Sequence, residues 1–342
     1  ERRDRLDGNE RTARKRADQA QRNGDDERRY LYSQMLSLMG HCTPEEQEWL
    51  SSQAGRSGRV AMDYANRLED ADRLELETVA TSTPLVTVFD TLWEAAPAVF
   101  GSDLNALGLS QQDRVSPVDK SDVATIYQEL ARVLGARSTS LYLGDSATYP
   151  GVVVACHAPP IVIVGRDSLT ELPVTLRFYL ARAMELACPK FIFAAGLYPE
   201  DFSRLLAALT RAFHPKYARH QFKTLDPVDE RAQELKKILP YRVSKTIVEF
   251  FTEHPNLAFD SGSWRKAVWM AGNRAGLLLT GDLPEALRLV LFEETQQVLP
   301  PAFTEAELAD LVAKNPVLQD LFSFYVSPLH VRLRRQLGLA LQ

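Results

Sequence analysis

The chain has 342 residues, of which 45% are hydrophobic and 25% charged, so it can bury a large core and its length suits about two domains. Its formal net charge of -5 provides no global attraction to nucleic acid or anionic lipid. The sequence contains no apolar run near the ~18 residues that a membrane span needs. We therefore expect no nucleic-acid partner and no membrane insertion.

The three cysteines, Cys42, Cys156 and Cys188, are too few and too far apart for a disulfide framework. They favour a reducing compartment, and we expect a cytoplasmic protein. His41-Cys42 and Cys156-His157 match no zinc-finger spacing, so we interpret these residues as buried small side chains and local polar contacts. Phosphate-binding glycine loops are also missing from the sequence, and we expect no metal and no cofactor.

Residues 1–30 carry ten basic and eight acidic side chains and almost nothing apolar. Such a stretch has no evident core face, and we predict a solvated charged arm, either a helix or disordered. The mixed signs argue against a tail that binds nucleic acid. The first residue is Glu1 rather than Met, which indicates a piece of a longer protein or a processed chain.

Residues 31–80 are predicted to form a helical hairpin region. Apolar residues recur at helical spacing over 30–39, and Thr43-Pro44-Glu45-Glu46 is typical of a helix start because it combines an N-cap, a proline at the first helical position and acids in the first turn. Two helices follow, at 44–53 and about 58–75. A Gly/Ser-rich turn at 54–58 separates them.

Residues 84–342 are predicted to be one α+β domain that is mainly α, with a small β-sheet. Its first helices lie at 85–96 and 119–134, and three short apolar runs at 140–144, 151–156 and 160–165 indicate strands. The helical pattern then returns in nine segments, at 173–187, 199–213, 228–238, 241–253, 262–278, 284–293, 304–313, 316–325 and 328–337.

Two segments of this domain carry a resemblance. The first segment begins with the apolar run Ile161–Gly165, continues through Leu169-Thr170-Glu171-Leu172 and ends in the helix that contains Tyr179-Leu180-Ala181. The second segment is the helix Trp264–Leu278. It starts with Trp264 and Arg265 and ends with Arg274-Ala275-Gly276-Leu277-Leu278. This order resembles zinc metallopeptidases of the CAAX-prenyl-protease type, over about 150–290.

The resemblance implies where the metal chemistry would lie. In that family two histidines and a glutamate base share one helix in an HExxH motif, and a glutamate on a second helix completes the zinc site. The aligned positions here are Arg182 and Leu186 for the histidines, Ala183 for the base, Trp269 for the second glutamate and Asn273 for a following aspartate. Because none of these side chains suits zinc, we expect a catalytically inactive relative.

We expect the replaced residues to serve packing. Leu186 and Trp269 would fill the volume that zinc and its bound water occupy in the active enzymes. Arg182 and Glu185, three positions apart, would form an ion pair on the helix surface. An alternative is a repurposed cleft in which Arg182 binds an anion. The vestigial cleft therefore comprises Arg182, Ala183, Glu185, Leu186, Trp269 and Asn273.

The chain's end is similar to a C-terminal segment of large bacterial tetratricopeptide-repeat proteins, through Phe324, Val326-Ser327 and Leu333–Gly338. This similarity implies a role in protein interaction or assembly, and we predict a non-catalytic interaction or scaffold domain with protein partners. Two alternatives stay open. One is a regulatory module that binds a small ligand or anion in the vestigial cleft, and the other is an enzyme of another class using Arg182, Glu185 and Asn273.

Overall fold

The computed structural model describes residues 10–54, 67–77, 85–135, 139–217, 226–256, 260–296, 298 and 302–341. It is 68% helical with a small three-stranded mixed sheet, which confirms the predicted mainly α, α+β class. The helices are α1 Glu10–Arg22, α2 Asp26–Leu38, α3 Pro44–Ala54, α4 Asp70–Leu76, α5 Leu85–Ala95, α6 Pro97–Phe100, α7 Asp122–Val133, α8 Pro173–Leu186, α9 Ile192–Gly196, α10 Pro199–Phe213, α11 Pro227–Ile238, α12 Tyr241–Glu253, α13 Ser261–Thr280, α14 Leu283–Thr295, α15 Glu305–Lys314, α16 Pro316–Tyr325 and α17 Pro328–Gln336. The strands are β1 Ser140–Gly144, β2 Val152–Ala155 and β3 Ile161–Gly165.

The charged N-terminal segment has a core face that its composition does not suggest. Residues 10–22 form α1, and Ala13, Ala17 and Ala20 are buried on the side that packs against α2. The prediction of an arm with nothing to bury is therefore wrong for these residues. Alanines four and three residues apart share one helix face, and their small side chains let two helices approach closely.

The first part of the predicted helix at 58–75, together with most of the 54–58 turn, lies outside the described residues. The described part of this region contains α4 at Asp70–Leu76, and only Asp72 and Leu76 of that helix are buried. Ion pairs hold much of α4 in place, because Arg73 pairs with Glu185 of α8 and Arg332 of α17 pairs with Asp72 and Glu75.

The small sheet has the strand order β1-β3-β2, with β1 parallel and β2 antiparallel to β3. Leu143 pairs with Val164, and Val153 pairs with Ile163. All five residues of the central strand are buried, which accounts for its unbroken apolar sequence. A Cβ on Gly165 would lie 2.0 Å from the carbonyl oxygen of Tyr149, so this strand end requires glycine.

The second half of the chain is built around α13. An aspartate, Asp260, caps its start and Gly281 ends it at φ 66°. From α8 onward the longer helices begin and end within two residues of the predicted positions. One hydrophobic cluster runs from Ala13 to Leu339 and includes residues of all three predicted segments. Among the described helices, none is both long and apolar enough to cross a membrane.

Candidate functional site

The two helices that carry the resemblance pack directly against each other. Both glycines of α13 that face α8, Gly272 and Gly276, lie where a side chain would not fit. A Cβ on Gly276 would come within 2.8 Å of the Phe178 ring, and one on Gly272 within 3.0 Å of the side chains of Arg182 and Leu186. Small residues four apart on one helix thus allow close contact along this face.

Arg182 lies at the centre of the α8–α13 contact and is only 4% exposed. Its guanidinium donates two hydrogen bonds to the carboxylate of Glu293 on α14, at 2.6 and 2.7 Å, and a longer one of 3.3 Å to Asn273 Oδ1. The rings of Tyr179 and Trp269 flank it, each with its centroid 4.9 Å from the guanidinium carbon. This bidentate, aromatic-flanked geometry suits arginine and holds it in one position.

The predicted surface pair between Arg182 and Glu185 is wrong. Glu185 is 1% exposed and accepts a hydrogen bond from Arg73 of α4, while Arg182 bonds to Glu293. The reason is that α8 is covered on several sides, so two residues three positions apart meet different neighbouring helices. Burial lowers the pKa of Arg73, but the neighbouring Glu185 carboxylate, Cys188 and Asp70 together outweigh that effect, so the pKa is raised.

Four of the aligned positions surround a small cavity. Arg182, Ala183, Leu186 and Trp269 line a space of about 60 Å³ together with Val152–Val154 of β2 and Ala195. Ala183 and Leu186 are buried. Asn273 contacts this group through Arg182, whereas Glu185 is directed to α4. A cavity of this size is smaller than the roughly 300–1,000 Å³ of small-molecule pockets, which disfavours a ligand site here.

Trp264 and Arg265, which begin the second segment of the resemblance, hold neighbouring segments in place. Arg265 donates to the carbonyl oxygens of Ala194 and Leu197, at 2.5 and 2.9 Å. Trp264 is buried, with its ring 6.0 Å from that of Phe89. These contacts fix α9 and α5 against the start of α13.

Arg274 connects three parts of the chain. It makes two hydrogen bonds to the Asp320 carboxylate of α16, at 2.9 and 2.6 Å. The same guanidinium donates to the carbonyl oxygens of Leu76 and Glu77 at the end of α4, at 3.3 and 3.1 Å. The last carbonyl oxygens of a helix have no hydrogen-bond partner within the helix, so these two bonds from Arg274 stabilise the end of α4.

None of the three cysteines forms a disulfide, and they lie in different environments. Burial raises the pKa of Cys156 to about 12, and burial together with the nearby Glu46 carboxylate raises that of Cys42 to about 11. Both are therefore neutral thiols near pH 7. Within the described ranges, no three His, Cys, Asp or Glu side chains are grouped so that they could hold a metal ion.

A larger groove lies on another side of α8. It has a volume of about 440 Å³ and is formed by α4, the start of α5, the segment after α7 and the C-terminal end of α8. Four segments that are distant in sequence form this groove, so no local sequence pattern predicts it. The apolar side chain of Leu74, 65% exposed on α4, is the sequence signal that could have pointed to it.

No protein-family model, curated protein or solved structure matches this chain. The resemblance to CAAX-prenyl-protease-type metallopeptidases stays a prediction that depends on the residues of α8 and α13. Those two helices make one of the most extensive packing contacts of the described chain.

Proposed function

We propose that this chain is a non-catalytic protein-binding domain whose core is a degenerate metallopeptidase core. The observation that carries the proposal is the closed ion pair between Arg182 and Glu293. At the position aligned with the first zinc-binding histidine there is a buried cation that already bonds to a carboxylate of α14. A site closed from within in this way serves packing rather than chemistry.

The chemistry of the other aligned residues supports the same conclusion. Arginine stays protonated and does not bind zinc, and Ala183 and Leu186 offer no donor atom. The indole nitrogen of Trp269 carries a hydrogen and only donates. Hydrolysis also needs a general base within reach of water, which Ala183 does not supply.

We also propose where this domain acts. The protein would lie in the bacterial cytoplasm, and the domain would form the C-terminal end of a tetratricopeptide-repeat protein. Cys42, Cys156 and Cys188 form no disulfide, which supports a reducing compartment. The similarity of Phe324–Ser327 and Leu333–Gly338 to such segments supports the association with repeats.

The enzymatic half of the proposal is tested on the purified protein. We expect less than about a tenth of an equivalent of zinc by mass spectrometry after dialysis without chelator, because the aligned positions lack ligands. We also expect no hydrolysis of casein when zinc is added. Zinc near one equivalent, or zinc-dependent cleavage, would contradict a non-catalytic role.

The binding half is tested in cells of the native host. Chemical crosslinking followed by purification of this chain should give a complex with a discrete protein partner. A control with Lys314→Glu, which changes an exposed residue at the end of α15, should give the same complex. A chain that crosslinks to no protein in its native cells would argue against the proposal.

A further inference from the structure

A pocket of about 350 Å³ lies where α1, α2 and α17 meet. Its volume is at the lower end of the roughly 300–1,000 Å³ that ligand pockets have. Three helices supply its apolar lining, which consists of Ala20, Leu31, Val326, Pro328 and Val331. Arginine side chains of α1 and α2 lie beside these apolar residues. The pocket can therefore accept an apolar group next to a charged one.

The guanidinium of Arg28, which lines this pocket, has to share its carboxylate. Among the described residues it pairs with Asp25, and the 3.7 Å between the two groups is too long for a hydrogen bond. The Asp25 carboxylate already accepts a 2.7 Å hydrogen bond from Arg335 and a 3.1 Å one from the backbone N–H of Arg28. The Arg28 side chain is 51% exposed, so it can bind a second carboxylate that comes from outside.

The backbone around the pocket also favours a negative group. Two helices begin here, since the N-cap residues of α2 and α17, Asp25 and Ser327, both line the pocket. The N-terminal end of a helix carries a partial positive charge. Arg16 of α1 lies on the same lining, and its guanidinium donates a 3.1 Å hydrogen bond to the hydroxyl of Tyr32. A carboxylate therefore suits this position better than an ammonium group.

We propose that this pocket binds a segment of a partner protein in which a glutamate or aspartate lies next to a large apolar side chain. This inference rests on the proposed function, because it names the surface and the chemistry of the binding. The partner's carboxylate would bond to Arg28 in the bidentate geometry that arginine favours. Its apolar side chain would pack on Leu31, Val326 and Val331. A single carboxylate matches the one positive charge that remains when Arg28 and Arg335 share Asp25.

The test uses two unlabelled peptides with blocked ends and the full chain. One peptide has the sequence Gly-Leu-Glu-Phe-Gly, and the other has glutamine in place of glutamate. Isothermal titration calorimetry at low salt should show at least threefold tighter binding of the acidic peptide, and added salt should reduce the difference. Bound acidic peptide should also slow the modification of Arg28 by phenylglyoxal, followed by peptide mass mapping. Arg204, whose side chain is 48% exposed outside this pocket, should react at an unchanged rate.

Two variants and matched controls locate the binding. Arg28→Gln should abolish the preference for the acidic peptide, and Asn23→Asp should weaken its binding at least threefold, because both are exposed residues of the lining. Arg22→Gln and Gln21→Glu make the same kinds of charge change at exposed positions of the same region that do not line the pocket. These two controls should keep the wild-type affinities. Circular dichroism checks that all four variants keep the wild-type fold.

The outcomes separate this inference from the proposed function. Equal affinity for the two peptides, the absence of binding, or a preference that Arg28→Gln retains would overturn the pocket inference. The crosslinked partner in the native host would still support a protein-binding function in that case. Cleavage of either peptide by the wild-type protein, seen by mass spectrometry, would overturn the non-catalytic function instead. Selective binding without cleavage, lost in Arg28→Gln, supports both.

Discussion

At the scale of single residues, His330 links stability to pH. Its side chain is 1% exposed and lies against Phe324 and Tyr325, with ring centroids 5.3 and 5.0 Å away. Burial, together with the nearby Arg334 charge, lowers its pKa well below the ordinary 6.5. The unfolded chain therefore binds the proton more readily, and His330 costs stability as the pH falls below about 6.5.

This linkage gives a prediction for thermal unfolding. Between pH 7.5 and 5.5 the wild-type protein should lose stability on the order of 1 kcal/mol through this residue. His330→Phe keeps an aromatic ring and removes the titration, so its melting temperature should depend less on pH over this range. His157→Gln alters a histidine outside the core and should keep the wild-type pH dependence. Equal pH dependence of wild type and His330→Phe would show that the buried imidazole carries no such linkage.

At the scale of elements, the alanine face of α1 should determine whether this helix stays attached to α2. Ala17→Glu places a carboxylate in the α1–α2 contact, where even a neutral polar group buried without a partner costs about 1–3 kcal/mol and a carboxylate costs more. Amide hydrogen exchange of residues 10–22 should rise at least tenfold. Gln19→Glu introduces the same charge on the exposed side of α1 and should leave exchange unchanged. Similar exchange in the two variants would mean that the alanine face does not anchor α1.

The elements also show what sequence can predict here. Four helices of the second half, α11, α14, α16 and α17, begin with a proline in the first two positions after a capping Asp, Asn or Ser, and sequence can predict them because these signals are local. The Arg182–Glu293 and Arg73–Glu185 pairs join residues more than a hundred positions apart, and no local pattern encodes such contacts. The alanine face of α1 was missed for a different reason, since alanine is weakly apolar and charged neighbours on both sides obscured its helical spacing.

At the scale of the whole molecule, one buried ion pair joins the two ends of the described chain. Arg334 of α17 is fully buried and bonds to the Glu27 carboxylate of α2 and to the carbonyl oxygens of Leu278 and Leu339. Glu27 also accepts a hydrogen bond from the backbone of Leu341, at 2.8 Å. This network connects α2, α13, α17 and the C-terminal residues within one core.

Removing one partner of this pair should therefore weaken the whole protein. Glu27→Gln removes the carboxylate that forms the buried ion pair with Arg334, and breaking a buried pair in this way costs about 3–5 kcal/mol. Denaturant unfolding should show a single transition at lower denaturant concentration, because both ends belong to the same core. In Glu27→Leu/Arg334→Met both charges of the pair are removed, and most of the lost stability should return. If the single variant instead unfolds in two steps, with only α1 and α2 lost in the first, the N-terminal helices form a separate cooperative unit that the pair merely fastens to the rest.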